Sequence, residues 1–395
     1  MPELYDVAVI GGGPSGCLVA SSLASAGNRV VLLERRRAGV FEPSCTGIVG
    51  RPYLDTLPVA QDLVLRSARS AVLISPSGRR LHVSASTDQA FILDRRELER
   101  RLRQQATAAG ARVVDGALAT RVDVTHHGCT IRGRTASGEP VFLSRALVIA
   151  AGVAPGLLRQ AHLAPPSRHM VGAHAEVEMD DVEETEVYFL SDLAPGAFAW
   201  LVPVDERRVR LGVLSPSSAA RLAERFLERP EVRRRLRQRP DRLSQRPVPV
   251  ALSRHMFADR VLVVGDAAGQ VKPTTGGGLY LGAMGAESAG RALCDALAKD
   301  DLSARALSGY DAEWRCAFGD ELRRGGVARG VYSCLSARQV DGIIDMAERT
   351  HVAEKLLTSP SFSFDRHSGA LLSGLLRCLP GALPRPLAGS REGRA

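Results

Sequence analysis

The chain has 395 residues, 45% hydrophobic and 24% charged, enough to bury a large core in two or three packed units. The formal net charge is +9, and all but three of the 52 basic residues are arginine. We find no aromatic-interleaved basic stretch, so this charge favours anionic substrates or membrane surfaces over nucleic acid. No apolar run approaches the ~20 residues that span a bilayer, and the acidic start "MPELYD" is unlike a secretory signal, which together predict a cytoplasmic protein.

The first predicted unit is a strand, a glycine turn, a helix and a second strand, written "DVAVIGGGPSGCLVASSLASAGNRVVLLER". Gly11, Gly13 and Gly16 form a GxGxxG pattern at the turn. Such glycines allow a tight turn, close approach of a pyrophosphate to the backbone, and close packing of helix on strand. Glu34 ends the second strand, where a carboxylate accepts a hydrogen bond from a ribose hydroxyl. The pattern therefore predicts a dinucleotide site.

The next predicted helix begins in "LDRRELERRL". Asp94 and Glu97 have the spacing of a capping box at its first turn. Leu98, Leu102 and Ala106 recur at helical spacing, which predicts one buried face.

Short alternating strands follow in three places. Turn residues predict a hairpin over 69–84, a run of strands over 111–149 and an antiparallel sheet over 171–214. The arginine-rich stretch 221–247 is predicted to be helical, with prolines interrupting it, and to present either a solvated face or a contact with anionic lipid or diphosphate.

A second strand, acid, glycine loop and helix lie in "DRVLVVGDAAGQVKPTTGGGLYLGAMGAESAG". Asp266 is placed to bond the ribityl hydroxyls of FAD, and the amides of Gly276, Gly277 and Gly278 to face the flavin pyrimidine edge. This second stretch favours FAD over NAD. Small residues at four-residue spacing predict close helix packing: Gly278, Gly282, Ala286 and Gly290.

After residue 300 the pattern is helical to about 358, and a leucine stripe follows. The stripe consists of Leu371, Leu372, Leu375, Leu376 and Leu379. It is compatible with a helix docked over a substrate channel and with membrane contact, and the sequence leaves both open.

Together these segments resemble the geranylgeranyl reductase family of FAD-dependent oxidoreductases, most specifically at "GDAAGQVKPTTGGG". The resemblance implies that Arg95 reaches the FAD. It also implies that "PGAFAWLVP" is the substrate motif usually written YxWxFP, with Phe198, Trp200 and Val202 lining the substrate site. The cysteine loop "PSCTGIVG" would place Cys45 beside the flavin as a proton donor.

The implied fold class is α/β: a Rossmann-type FAD-binding domain with an inserted antiparallel-sheet substrate domain and a helical C-terminal region. The expected boundaries are 1–68, 87–165 and 255–300 for the FAD-binding domain, 69–86 and 166–254 for the substrate domain, and 301–395 for the C-terminal region.

The implied reaction is reduction of C=C bonds in a polyprenyl substrate, by hydride from reduced flavin N5 together with a proton. NAD(P)H and reduced ferredoxin, or another external reductase, are both compatible electron donors, because the one dinucleotide fingerprint is assigned to FAD. A peripheral membrane contact fits a lipid substrate. No metal is expected, since the seven cysteines are scattered without a CxxC pair and the histidines lack ligand spacing.

Three alternatives share the FAD scaffold. Flavin halogenases carry a lysine in the N-terminal third and two tryptophans in the segment matching "FAWLVP", whereas the first lysine here is Lys272 and only Trp200 is present. Aromatic hydroxylases usually have histidine after the GDAA run, where this chain has Gly269; they remain the main alternative. A flavin-binding electron carrier is the third.

For Cys45, the alternative to catalysis is a small hydrophobic residue that covers the flavin.

Overall fold

The strands and helices are known for residues 3–40, 45–359 and 362–378, which the computed structural model describes. The strands are β1 (Leu4–Ile10), β2 (Val30–Glu34), β3 (Ile48–Val49), β4 (Val64–Ala68), β5 (Ser70–Ile74), β6 (Arg80–Ser84), β7 (Ala90–Leu93), β8 (Arg112–Asp115), β9 (Leu118–Thr125), β10 (Gly128–Arg134), β11 (Val141–Ile149), β12 (His169–Glu178), β13 (Thr185–Phe189), β14 (Phe198–Pro203), β15 (Arg208–Ser215), β16 (Ser244–Pro249), β17 (Phe257–Ala258) and β18 (Val261–Val263). The α-helices are α1 (Pro14–Ser25), α2 (Arg51–Thr56), α3 (Arg95–Ala108), α4 (Pro155–Gln160), α5 (Ala219–Leu227), α6 (Pro230–Arg233), α7 (Leu279–Ala298), α8 (Ala304–Cys334), α9 (Ala337–Thr350), α10 (Val352–Leu357) and α11 (Ser368–Cys378). Two 3₁₀ helices span Pro58–Leu63 and Gly265–Ala267.

An eight-stranded sheet forms the larger layer, in the order β17-β18-β11-β1-β2-β8, with β10 and β9 continuing from β11. Strands β18, β11, β1, β2 and β8 run parallel. All five residues of β2 are buried, as expected of a parallel strand covered on both faces. The carboxyl ends of β1, β2 and β18 therefore meet at one edge of the sheet, the usual place for a ligand in this class of fold.

Helices α1 and α7 pack closely, as their small residues predict. A Cβ atom at Gly282 would lie 2.6 Å from Ser15 Oγ, and one at Gly290 would lie 2.8 Å from Ser22 Oγ. These distances leave no room for a larger residue. Helix α3 also packs on α1, and its buried face contains the predicted Leu98, Leu102 and Ala106.

A seven-stranded sheet forms the second layer, in the order β16-β12-β15-β14-β13-β5-β6. All neighbours are antiparallel except β13 and β5. The predicted hairpin over 69–84 forms β5 and β6 at one edge of this sheet. Helix α5 covers the sheet with buried Leu222 and Phe226. A third, three-stranded sheet has the order β3-β7-β4.

The stretch 221–247 is only partly helical, so the prediction of a helix across it was wrong. Helices α5 and α6 end by Arg233, and Ser244–Pro249 forms the edge strand β16. Pro240 cannot continue a helix, and Pro247 and Pro249 lack the N–H of an interior strand, so an edge position suits them.

The helices after residue 300 cover both sheets. Helix α8 packs on α7 and β17, α11 packs on α8 and α9, and α9 and α10 pack on β6. Residues 362–367, which lead into α11, return to the interior, where Asp365 and His367 are buried.

None of the described helices combines the length and the apolar character needed to cross a bilayer.

Candidate active site

A cavity of about 550 Å³ lies between the carboxyl edge of the eight-stranded sheet and the seven-stranded sheet. Its walls come from the turn after β1, the end of β2, the loop before β3, the start of α3, the glycine loop before α7, strands β12 and β14, and the 362–367 segment. Elements far apart in sequence thus meet around one space.

The turn between β1 and α1 has the geometry that its glycines predict. Gly11 has φ +109°, and a Cβ there would lie 2.3 Å from Ala150 O. Gly16 lies behind the turn, outside the cavity lining, where a Cβ would lie 1.9 Å from Gly11 O. At Gly13 no heavy atom lies within 4 Å of an added Cβ, so the space in front of the helix is open on the cavity side.

Glu34 joins the end of β2 to this turn. Its Oε2 accepts a hydrogen bond from Gly12 N at 2.7 Å, and its Oε1 accepts one from Arg36 N at 2.8 Å. Burial alone would raise the pKa of Glu34, but the Arg36 hydrogen bonds and charge and the Gly12 amide lower it overall. The group is therefore an ionised carboxylate at the cavity wall, with lone pairs left for a ribose hydroxyl.

Arg95, at the start of α3, is 6% exposed and faces the same cavity. Its Nη2 donates to Glu99 Oε1 at 2.9 Å, whereas its Nε and Nη1 have no hydrogen-bond partner among the described residues. A buried donor without an acceptor costs about 1–3 kcal/mol. Two donor nitrogens without an acceptor, beside an open glycine turn, fit an anionic, oxygen-rich ligand such as FAD.

The second predicted stretch completes the same site. Asp266 follows β18, and its exposed surface faces the cavity. Protein surrounds the carboxyl group on its other sides, and this burial raises its pKa. Gly276, Gly277 and Gly278 line the cavity just before α7 begins. A Cβ at Gly278 would lie 3.0 Å from Asp266 Oδ1, so the glycine loop and the carboxylate are in contact.

Cys45 is half-buried and lines the cavity. Gly47 N donates to its Sγ at 3.4 Å, and Gly47 has φ +72°, a conformation that suits glycine. Arg210 on β15 fixes this loop, since its Nη1 donates to Thr46 O at 2.6 Å and to Leu93 O at 2.9 Å. The thiol is thus held at the cavity by a residue of the second sheet, which the sequence did not indicate.

The three residues of the predicted substrate motif alternate along β14 and share one face, but their surroundings differ. Trp200 lines the cavity; a Cβ at Gly212 on β15 would lie 2.0 Å from its ring, so glycine there makes room for the indole. Phe198 is next to Trp200, with ring centroids 5.6 Å apart, and Val202 packs with Ile92. Neither Phe198 nor Val202 is part of the described cavity lining.

Sequence reasoning missed Lys272, Phe364 and Asp365, which also line the cavity. Lys272 lies inside the quoted motif "GDAAGQVKPTTGGG". A charged residue within a glycine-rich loop was a signal that could have identified it as a site residue. Phe364 and Asp365 belong to no motif and reach the site only because the chain folds back after α10.

Comparison with known proteins decides the family. The profile of the FAD binding domain family matches residues 4–320. Digeranylgeranylglycerophospholipid reductase 2 from Methanothermobacter thermautotrophicus is 31% identical over 357 residues, covering 87% of this chain and 92% of that protein. The chain belongs to the geranylgeranyl reductase family of FAD-dependent oxidoreductases.

One further relative agrees with this assignment, and one solved structure agrees with the fold. Digeranylgeranylglycerophospholipid reductase from Methanocaldococcus jannaschii is 28% identical over 325 residues, covering 79% of this chain and 83% of that protein. The crystal structure of a geranylgeranyl bacteriochlorophyll reductase-like protein from Thermoplasma acidophilum has the same fold, with a TM-score of 0.83 at 20% identity, covering 96% and 98% of the two chains. The predicted family, fold class and FAD dependence are confirmed, and the reductase is supported over the aromatic hydroxylase.

Proposed function

We propose that the protein reduces C=C bonds in the geranylgeranyl chains of a phospholipid, the class of substrate named for its relatives. One observation supports this most: the thiol of Cys45 and the indole of Trp200 share a single cavity with the dinucleotide-binding turn. When bound, reduced FAD supplies the hydride. The chain itself must bind the alkene, exclude water and deliver a proton to the neighbouring carbon.

The proposed FAD-binding residues surround that cavity or support its wall. Gly13 leaves space for the pyrophosphate, Glu34 accepts from a ribose hydroxyl and Arg95 donates to the ligand through its unsatisfied N–H groups. The remaining residues proposed for FAD are Gly11, Gly16, Asp266, Gly276, Gly277 and Gly278.

Cys45 is proposed to deliver the proton. Thiols tolerate an apolar environment in their neutral form, and a donor positioned at the cavity wall replaces bulk water where water is excluded. The proton goes to the less substituted alkene carbon, and the hydride goes to the tertiary carbon.

The electron donor is proposed to be NAD(P)H or reduced ferredoxin acting from outside the FAD site. The glycine turn after β1 is used for FAD, and neither donor needs a second permanent site. Anaerobic flavin bleaching with each donor alone distinguishes the two.

Trp200 is proposed to form the wall along which the isoprenoid chain lies, with Phe198 and Val202 supporting it. We expect Trp200→Ala to retain FAD but to lower turnover at least tenfold, because removing a large aromatic surface weakens both binding and alignment of an apolar chain. The measurement is mass spectrometry of a digeranylgeranyl phospholipid after incubation with chemically reduced protein. With the wild-type protein, the mass of the lipid should increase by two units for each C=C bond that is reduced.

Phe257→Ala, on β17 away from the cavity lining, is the control for loss of an aromatic residue. No mass increase with reduced wild-type protein would contradict the proposed reaction. Equal turnover by Trp200→Ala and wild type would contradict the substrate-binding role of Trp200 and leave the indole with a packing role only.

Helix α11 is proposed to contact the membrane that carries the lipid substrate. Among its described residues only Ser368 and Cys378 are buried, and Leu371 and Leu376 are 42% and 40% exposed. Arg377 is exposed beside them, and Arg324 on α8 lies against Gly369, so cationic groups border the leucines. The predicted stripe member Leu379 lies outside the described residues.

We expect Leu371→Glu with Leu376→Glu to weaken sedimentation with vesicles containing anionic phosphatidylglycerol by about tenfold or more, since each buried leucine contributes roughly 1.5–3 kcal/mol. Leu65→Glu, at an equally exposed leucine on β4, is the matched control. Equal sedimentation of the double variant and the control would contradict the proposed contact.

A further inference from the structure

A buried ion pair joins the glycine loop to the 362–367 segment. Lys272 and Asp365 are 3% and 2% exposed, and Lys272 Nζ lies 3.7 Å from Asp365 Oδ1. Lys272 Nζ also donates to Phe364 O at 2.7 Å and lies 4.3 Å from the centre of the Phe364 ring. The ammonium is thus fixed by three contacts on one segment.

Asp365, the acidic member of this pair, is held by the segment that follows Cys45. Asp365 Oδ2 accepts a hydrogen bond from Gly50 N at 2.9 Å, and a Cβ at Gly50 would lie 2.9 Å from the same oxygen. His367 braces the segment, since its Nδ1 donates to Phe364 O at 2.6 Å and Thr274 Oγ1 donates to its Nε2 at 2.9 Å. Burial and the nearby Lys272 lower the pKa of His367 to about 3, so this histidine is neutral.

The ammonium lies directly behind the glycine loop. Lys272 N donates to Gly277 O at 3.0 Å, and Gly276 N donates to Lys272 O at 2.9 Å, so the lysine and the glycines form one tight turn. A Cβ at Gly277 would lie 3.0 Å from Lys272 Cε and 3.6 Å from Nζ. Both Lys272 and Asp365 contribute to the cavity wall.

The charge on the Lys272 side chain acts on the cavity through protein, a medium of low dielectric constant. Solvent screens buried charges poorly, so the field of Lys272 extends to whatever occupies the adjoining cavity. A positive field near the pyrimidine edge favours a flavin that has taken up two electrons and one proton, because that form is an anion and the oxidised form is neutral. The negative field of Asp365 acts in the opposite direction.

We propose that Lys272 and Asp365 set the reduction potential of the bound flavin, with the Lys272 ammonium raising it and the Asp365 carboxylate limiting the rise. This inference rests on the proposed placement of FAD against Gly276, Gly277 and Gly278. It assigns both residues a role in tuning electron acceptance rather than in binding the isoprenoid.

The test is the midpoint potential of the FAD-loaded protein, measured anaerobically against reference dyes at about pH 7.5, a pH at which the two-electron-reduced flavin stays an anion. We expect Lys272→Met to lower the ratio of affinities for reduced and oxidised FAD about tenfold, which equals about 30 mV for a two-electron couple. We expect Asp365→Asn to change the ratio in the opposite direction, while its amide oxygen still accepts from Gly50 N.

The opposite signs separate electrostatic tuning from structural support. If the pair only held the segment in place, both substitutions would loosen the same wall and shift the potential in the same direction or not at all, and either result would overturn the inference. Lys272→Arg retains the charge and should stay within about twofold of the wild-type ratio. It also provides a folded comparison if Lys272→Met is unstable.

Failure of this inference differs visibly from failure of the proposed function. If FAD does not bind at the glycine loop, the wild type lacks a bound-flavin spectrum, whereas the inference alone fails when flavin binds and Lys272→Met leaves its potential unchanged.

Discussion

Replacing Cys45 with alanine should leave FAD bound and reducible but lower alkene reduction on the order of 10²-fold. An unactivated alkene accepts hydride productively only if a proton reaches the neighbouring carbon. The half-buried thiol faces the cavity, and Arg210 and Gly47 fix its loop there. Without the thiol, water would have to supply the proton in a cavity that an isoprenoid chain fills.

Rapid mixing separates the two half-reactions. Flavin reduction by the electron donor should have the wild-type rate in Cys45→Ala, and reoxidation by the polyprenyl substrate should be slow. Cys45→Ser should also be slow, because a hydroxyl is nearly isosteric with a thiol but far less acidic. Cys294→Ala is the matched control, since this thiol on α7 is also half-buried but lies outside the cavity lining. If flavin reoxidation by the polyprenyl substrate has the wild-type rate in Cys45→Ala, the thiol is not the required proton donor and its loop only covers the flavin.

Gly13→Val should reduce bound FAD at least tenfold while leaving the apoprotein folded. A Cβ added at Gly13 has no heavy atom within 4 Å outside the neighbouring residues of the chain, so we expect the folded apoprotein to lose no packing. The same space is where a pyrophosphate would approach the helix α1 amides, and a branched side chain would occupy it. Bound flavin is read from absorbance after gel filtration, and folding from the thermal unfolding midpoint without added FAD.

Gly309→Val is the control for a glycine in open space, since it lies in α8 and outside the cavity lining. Asp266→Ala should also lower FAD content, through loss of an acceptor for ribityl hydroxyls. Wild-type levels of flavin in Gly13→Val would remove the first glycine turn from the proposed FAD site.

The C-terminal part of the site shows the limit of pattern reading. Lys272 Nζ and Asp365 Oδ1 are 3.7 Å apart in space, but the four helices α7–α10 separate the two residues in the chain. No periodicity connects such residues, because their approach depends on how α11 and the preceding segment pack against α8. Likewise, alternation along β14 predicted a shared face for Phe198, Trp200 and Val202, but only Trp200 lines the described cavity, where Gly212 makes room for its ring.

The sequence by itself determined the glycine turn after β1, the acid and glycine loop before α7, and the parallel sheet that brings them together. These features depend on local rules: glycines where a side chain would collide or exclude phosphate, an acid at a strand end, and apolar runs in strands covered on both faces. Only the tertiary structure decided what surrounds the remaining cavity. Arg210 fixes the Cys45 loop, and Asp365 joins that loop to Lys272, through contacts between distant segments whose geometry depends on the packing of the whole chain.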